Sequence, residues 1–191
     1  MRLQELVEVS NAVASVSGRL EKIERLAVLL VRLPSEDIEI AVAFLTGSPR
    51  QGRIGLGWSA LSDASRQPPV NLPTLELREI DEAFGLIAQV KGVGSARERT
   101  RRLGALFARA TETEQQFLIR LLTGELRQGA LEGVLVEAVA RAARLAASTI
   151  RQAAMMAGDL RAVALVALTE GAIGLSELQT SPAAGGYQGQ P

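Results

Sequence analysis

The eight residues Leu45-Thr46-Gly47-Ser48-Pro49-Arg50-Gln51-Gly52 return as Leu122-Thr123-Gly124-Glu125-Leu126-Arg127-Gln128-Gly129, and this repetition of LTGxxRQG constrains the fold more than any other feature of the chain. The register continues upstream without a gap. It pairs Glu21 with Glu98, Lys22 with Arg99, Arg25 with Arg102, Leu26 with Leu103, Leu29 with Leu106 and Arg32 with Arg109. Ser17-Gly18 falls in the register of Gly94-Ser95, each ahead of a helix with basic residues in its early turns. Chance supplies matching leucines, but not an ungapped register of charges and glycines as well. Self-similarity of this kind marks a duplicated supersecondary unit. Here it is helix, break, helix and loop, over about 17–64 and again over about 94–146. The two copies are expected to face each other around a pseudo-two-fold axis.

Around the repeat, apolar residues recur at helical spacing throughout. Residues 2–15, 19–33 and a stretch from Pro34 to Gly47 read as the first three helices, with Ser35 capping the third and Glu36 and Asp37 in its first turn. A Gly-rich stretch over 48–57 precedes a short helix over about 58–64, and the three prolines of 65–73 form an internal linker. Thr74 is expected to cap the next helix, which carries Leu77, Ile80, Phe84 and Ile87. Further helices are expected at about 96–109, 112–123, 132–146, 148–157 and 159–168. No segment sustains period-two alternation, so the fold class is all-α, with roughly ten to twelve helices and no sheet. The ordered domain is expected over 1–178, with 179–191 a small, polar linker toward an absent catalytic domain.

The repeated loop has a specific chemistry. Glycine at a helix end lets the backbone turn and expose amide N–H groups, an arginine adds a charged fork, and the second glycine lets another backbone come close. Two such loops side by side could straddle a duplex, whose strands are themselves two-fold related. The same residues also make an ordinary helix C-cap with a solvated arginine.

Composition narrows the chemistry further. There is no Cys and no His, which removes zinc fingers, thiol nucleophiles and imidazole bases. Twenty-one basic residues balance twenty-one acidic ones, so any attraction to nucleic acid must come from local clusters. Only Lys22 and Lys91 are lysines, a bias that suits phosphate recognition and that GC-rich coding also produces. Arg97, Arg99, Arg101 and Arg102 cluster at one helix start, but positions about 100° apart cannot all face one strand. Trp58 could stack on a base, though after a Gly-rich turn it is expected to pack, and Met155-Met156 is expected to fill core. The apolar runs are too short to span a membrane, and the start lacks a signal pattern, so a cytoplasmic monomer is expected.

The segment from Phe117 through Leu122-Thr123-Gly124-Glu125-Leu126-Arg127-Gln128-Gly129 resembles the signature loop of the N-terminal DNA-binding domain of ATP-dependent DNA ligases. Ala110-Thr111-Glu112-Thr113-Glu114, Gly133 through Val139, Arg53-Ile54-Gly55-Leu56-Gly57 and Ala157-Gly158-Asp159-Leu160 fit the same pattern, which resembles the bacterial, actinobacterial type. The resemblance covers about 2–178. It implies a helical domain that grips the minor-groove and phosphate face of nicked double-stranded DNA without sequence preference, in repair, replication or recombination. Its partners would be that DNA and the nucleotidyltransferase and OB-fold domains of the same enzyme. Gly124, Arg127 and Gly129 match the minor-groove loop, and Gly47, Arg50, Gly52 and Arg53 match its symmetry mate. Gly55, Arg97 and Arg101 complete the expected DNA-binding set. Glu125 stands where relatives often carry a basic residue.

Ligase chemistry needs a lysine in a KxDG-type motif, and Lys22-Ile23-Glu24-Arg25 and Lys91-Gly92-Val93-Gly94 do not fit. No P-loop is present either. The domain is therefore expected to hold no metal, cofactor or catalytic residue, with ATP and Mg2+ belonging to the catalytic domain of a parent ligase. The alternative is a helical protein–protein interaction scaffold with no nucleic-acid role.

Overall fold

The computed structural model describes residues 1–127 and 129–180 and contains eleven helices among them. They are α1 Leu3–Ser15, α2 Arg19–Arg32, α3 Ser35–Leu45, α4 Trp58–Ala64, α5 Leu77–Gln89, α6 Ser95–Phe107, α7 Glu112–Thr123, α8 Gly129–Ala143, α9 Ala147–Ala157, α10 Leu160–Thr169 and α11 Gly171–Thr180. The described residues form no sheet, only one isolated antiparallel bridge between Arg2 and Glu76. None of their helices is long and apolar enough to cross a membrane.

The helices pack by exchange between the two repeats. A helix ahead of each repeat pairs with the repeat's first helix and counts with its half, α1 on α2 and α5 on α6. Between repeats, α2 lies on α8 while α6 lies on α4, and α1 touches α7 while α5 touches α3. The bridge repeats this exchange at atomic scale. The Leu3 amide donates to the Leu75 carbonyl at 2.8 Å, and the Leu77 amide donates to the Met1 carbonyl at 3.0 Å. Leu3 and Leu77 are the first residues of α1 and α5, so the two bonds are each other's counterparts.

At the centre lies α3, whose residues Ile38 and Ile40 through Leu45 are all buried. A helix apolar on every side must be covered on every side. Helix α5 covers one side, with Phe84 and Phe44 tilted at a centroid distance of 6.1 Å. Helix α10 covers another, and α9 and α11 pack on α10 outside the repeat. The exchange also buries charge: Asp37 takes the Met1 amine, and its register mate Glu114 closes a capping box with Thr111 at the start of α7.

Several local expectations change. Thr74 does not cap α5. The stretch before it is extended to reach Met1–Leu3, and Glu76 caps the helix with Glu79 answering in a capping box. Ser35 is the first helical residue of α3, with Pro34 at the cap position. Helix α8 begins at Gly129, three residues earlier than its apolar pattern suggested. Helix α11 was not foreseen; its Gly171 and Gly174 disguise a helix held by tertiary packing. Met155 and Met156 are not core but 80% and 57% exposed, because α9 buries the face carrying Ile150 and Ala153. Of the linker expected over 179–191, residues 179 and 180 instead close α11, and the remainder, 181–191, lies outside the described residues, as does Gln128.

Candidate nucleic-acid interface

The two LTG turns meet backbone to backbone. After α3 the chain closes with a Schellman pattern: the Ser48 amide donates to the Ala43 carbonyl at 2.9 Å and the Gly47 amide to the Phe44 carbonyl at 3.1 Å. This needs Gly47 at φ +74°, and a Cβ there would stand 2.6 Å from the Arg127 nitrogen and the Leu126 carbonyl carbon. Only glycine fits both the conformation and the space. After α7, Gly124 turns the chain at φ +82°. Arg127 then reaches back, its Nε donating to the Gly47 carbonyl at 3.2 Å. One repeat's arginine thus holds the other repeat's turn.

Beyond this contact the two copies part ways. Pro49 and the glycines at 52, 55 and 57 keep the first copy irregular up to α4, whereas Gly129 opens α8 directly. Arg50 does not mirror Arg127. Its Nε donates to Asp81 Oδ1 at 3.0 Å, its Nη2 to Asp81 Oδ2, and its Nη1 to Glu39 at 3.4 Å. Donating to buried Asp81 raises the Arg50 pKa further. Gln51 adds two bonds to Asp81, to its carbonyl at 2.9 Å and its carboxylate at 3.0 Å. Arg50 therefore fastens its loop to α5, and most of its fork is spent on doing so.

Two clefts flank the joined turns. The larger, about 580 Å3, is lined by Arg50, Arg127 and Gly52 together with Glu132, Asp159 and Arg161. Asp159 caps α10 by accepting from the Arg161 amide at 2.9 Å and holds the Arg161 guanidinium through two bonds of 2.8 Å. Those side-chain bonds keep the Asp159 carboxyl below its ordinary value. Basic and acidic groups thus alternate in this cleft. The smaller cleft, about 350 Å3, is lined by Pro49 and the run from Gly52 to Leu56 on one side, and by the run from Leu121 to Gly124 with Arg127 on the other. It contains no carboxylate. Arg53 is exposed there, and among the described residues no acid pairs with Arg53 or Arg127.

Of the residues named from the sequence, the structure brings together Gly47, Arg50, Gly52, Arg53, Gly55, Gly124 and Arg127. Gly129 follows as the first residue of α8. Arg97 and Arg101 sit elsewhere. Both are exposed on α6, and Arg101 lines hollows shared with Asp63 and Gln67 or with Glu79 and Leu86. Glu98 takes two bonds of 2.8 Å from Arg101 and one of 2.7 Å from Arg102, which hold its carboxyl at about 2. Arg99, half a turn away, faces the loops instead. Its Nη2 donates to the Val90 carbonyl at 2.6 Å and its Nη1 to the Gly55 carbonyl at 3.4 Å, and Gly55 at φ +72° leaves room for it. Arg99, named from the sequence only as one of the helix-start cluster, and Arg161, not singled out there, both join the loops here. The register pairing of Lys22 with Arg99 was a signal for the first; nothing local marked the second.

No group of three or more Asp, Glu, His or Cys converges among the described residues.

The fold and its joined turns define an all-helical domain built from a duplicated helix–loop unit. Residues 60–140 match the family model described as DNA ligase N terminus, which with the relatives that follow fits the N-terminal domain of a bacterial DNA ligase. It is 52% identical over 180 residues to a "Probable DNA ligase" of Anaeromyxobacter sp. (strain Fw109-5), covering 94% of this chain and 35% of that protein. A "Probable DNA ligase" of Pseudarthrobacter chlorophenolicus is 50% identical over 169 residues, covering 88% of this chain and 33% of the relative. One from Mycolicibacterium gilvum is 49% identical over 185 residues, covering 94% and 36%. The chain thus spans about a third of the length of these bacterial relatives.

Proposed function

We propose that this chain is the DNA-gripping domain of an ATP-dependent DNA ligase, holding the minor-groove and phosphate face of nicked duplex DNA without sequence preference. The observation that carries the reading is the acid-free cleft where the two LTG turns meet, with Arg53 and Arg127 unpaired by any carboxylate. Arginine forks free of carboxylates match phosphate oxygens. Contacts of this kind position a duplex without reading its sequence. Arg50 and Arg99 keep the loops in place, and Arg97 and Arg101 would meet a strand only beyond the cleft.

In the longer protein this domain would act as a monomer in the cytoplasm, in repair, replication or recombination. The nucleotidyltransferase and OB-fold domains, with ATP and Mg2+, would supply the joining chemistry. The test is titration of a labelled nicked duplex across a salt series. The chain binds more weakly as salt rises, and Arg53→Ala with Arg127→Ala lowers the slope of log affinity against log salt by about two. Binding that is absent at low salt, or indifferent to both substitutions, overturns the reading and favours a helical scaffold without a nucleic-acid role.

A further inference from the structure

We infer that Trp58 is a DNA-contacting residue that adds a non-ionic hold beside the cationic cleft; this rests on the DNA-binding reading above. All four phenylalanines, Phe44, Phe84, Phe107 and Phe117, are buried. Trp58 is 74% exposed and is the one aromatic among the described residues outside the core. A chain with so few aromatics forfeits the burial of its largest side chain here. Exposed indoles are enriched where a partner later covers them.

The position is rigid. Trp58 is the first residue of α4, whose Ala60, Leu61 and Ala64 are buried, and α4 packs on α6. The loop leading into it is tied down by Arg99 through the Gly55 carbonyl. Leu56 lines the acid-free cleft, and Trp58 lies two residues further on, within about 7 Å of chain. An indole so placed beside a phosphate-binding cleft meets the sugar and base faces of the strand held there. Aromatic contact with nucleic acid tolerates any sequence, because every base has a π-face. It also differs from the arginine contacts in releasing no counterions.

Trp58 is the only tryptophan of the chain, so its emission reports on this contact alone. Unlabelled nicked duplex is titrated into the 191-residue chain at low salt while intrinsic fluorescence is followed. Anisotropy of a labelled duplex is measured in parallel. Trp58 emission falls over the same concentrations as anisotropy rises. Trp58→Ala weakens binding on the order of tenfold with the salt slope unchanged, and Trp58→Phe restores most of the loss. If anisotropy reports binding but emission and the alanine variant's affinity are both unchanged, the inference is overturned and the DNA-binding reading stands. If the unaltered chain shows no binding, both fall. Should Trp58→Ala misfold by circular dichroism, the emission of the unaltered chain and the affinity of Trp58→Phe decide the matter.

Discussion

Arg50 and Arg127 occupy the same place in the repeat and do different work. Arg50 spends its fork on Asp81, a carboxylate only 6% exposed, while Arg127 gives one N–H to a carbonyl and leaves its outer edge to the clefts. Removing Arg50 strands a buried charge that Gln51 alone then satisfies. Arg50→Ala should cost about 2 kcal/mol, already reduced because the guanidinium is 37% exposed. Arg127→Ala should cost well under that while weakening DNA binding more. Chemical denaturation beside a DNA titration separates the two; equal stabilities would show that the Arg50–Asp81 pair does not hold the loop. Arginine in an LTGxxRQG turn was legible from the sequence, but its partner thirty-one residues away on α5 was not.

Helix α6 carries the densest run of charge and illustrates how a helix face sorts it. Glu98 sits in the first turn, where a negative charge complements the helix dipole. Arg101 and Arg102, three and four residues on, lie over it. Their bonds lower the folded-state pKa of Glu98 to about 2 from the ordinary 4.5. A depressed carboxylate stabilises the fold above its unfolded pKa, and that contribution is lost as pH falls through the folded value. Side-chain NMR should therefore find Glu98 titrating near 2. The neighbouring arginine Nε–H signals should stay fixed down to pH 4 and shift only below it. A Glu98 midpoint near 4.5 would show that the two arginines are solvated instead. The helix itself was readable from its 3.6-residue pattern, and so was the rule that the four arginines cannot share a face. Which of them turns toward the loops depends on how α6 is rotated against α4 and α5.

Across the whole molecule, each repeat lends helices to the other: α8 covers α2, α4 covers α6, and α1 and α5 cross to α7 and α3. Each half therefore buries part of its apolar surface only against the other. The fragments 1–73 and 74–180, cut in the linker between the copies, should each show less helix by circular dichroism when alone than they hold together and recover it on mixing, while the intact chain unfolds in one transition. A fragment that melts cooperatively by itself would mean that the repeats are separate domains. The same exchange explains why the two turns touch, because the helices that deliver them are braced by opposite halves.

The sequence by itself determined the helices, the duplication and the two arginine-bearing turns, because helical periodicity, capping glycines and an ungapped register are all local or translational patterns. Contacts between residues far apart were decided by the tertiary structure alone. It chose which arginine is tied to Asp81, which cleft is free of carboxylates, that Trp58 faces solvent, and that α11 exists at all. Those outcomes depend on the relative rotation of packed helices, where a turn of 100° per residue sends neighbouring side chains to different surroundings.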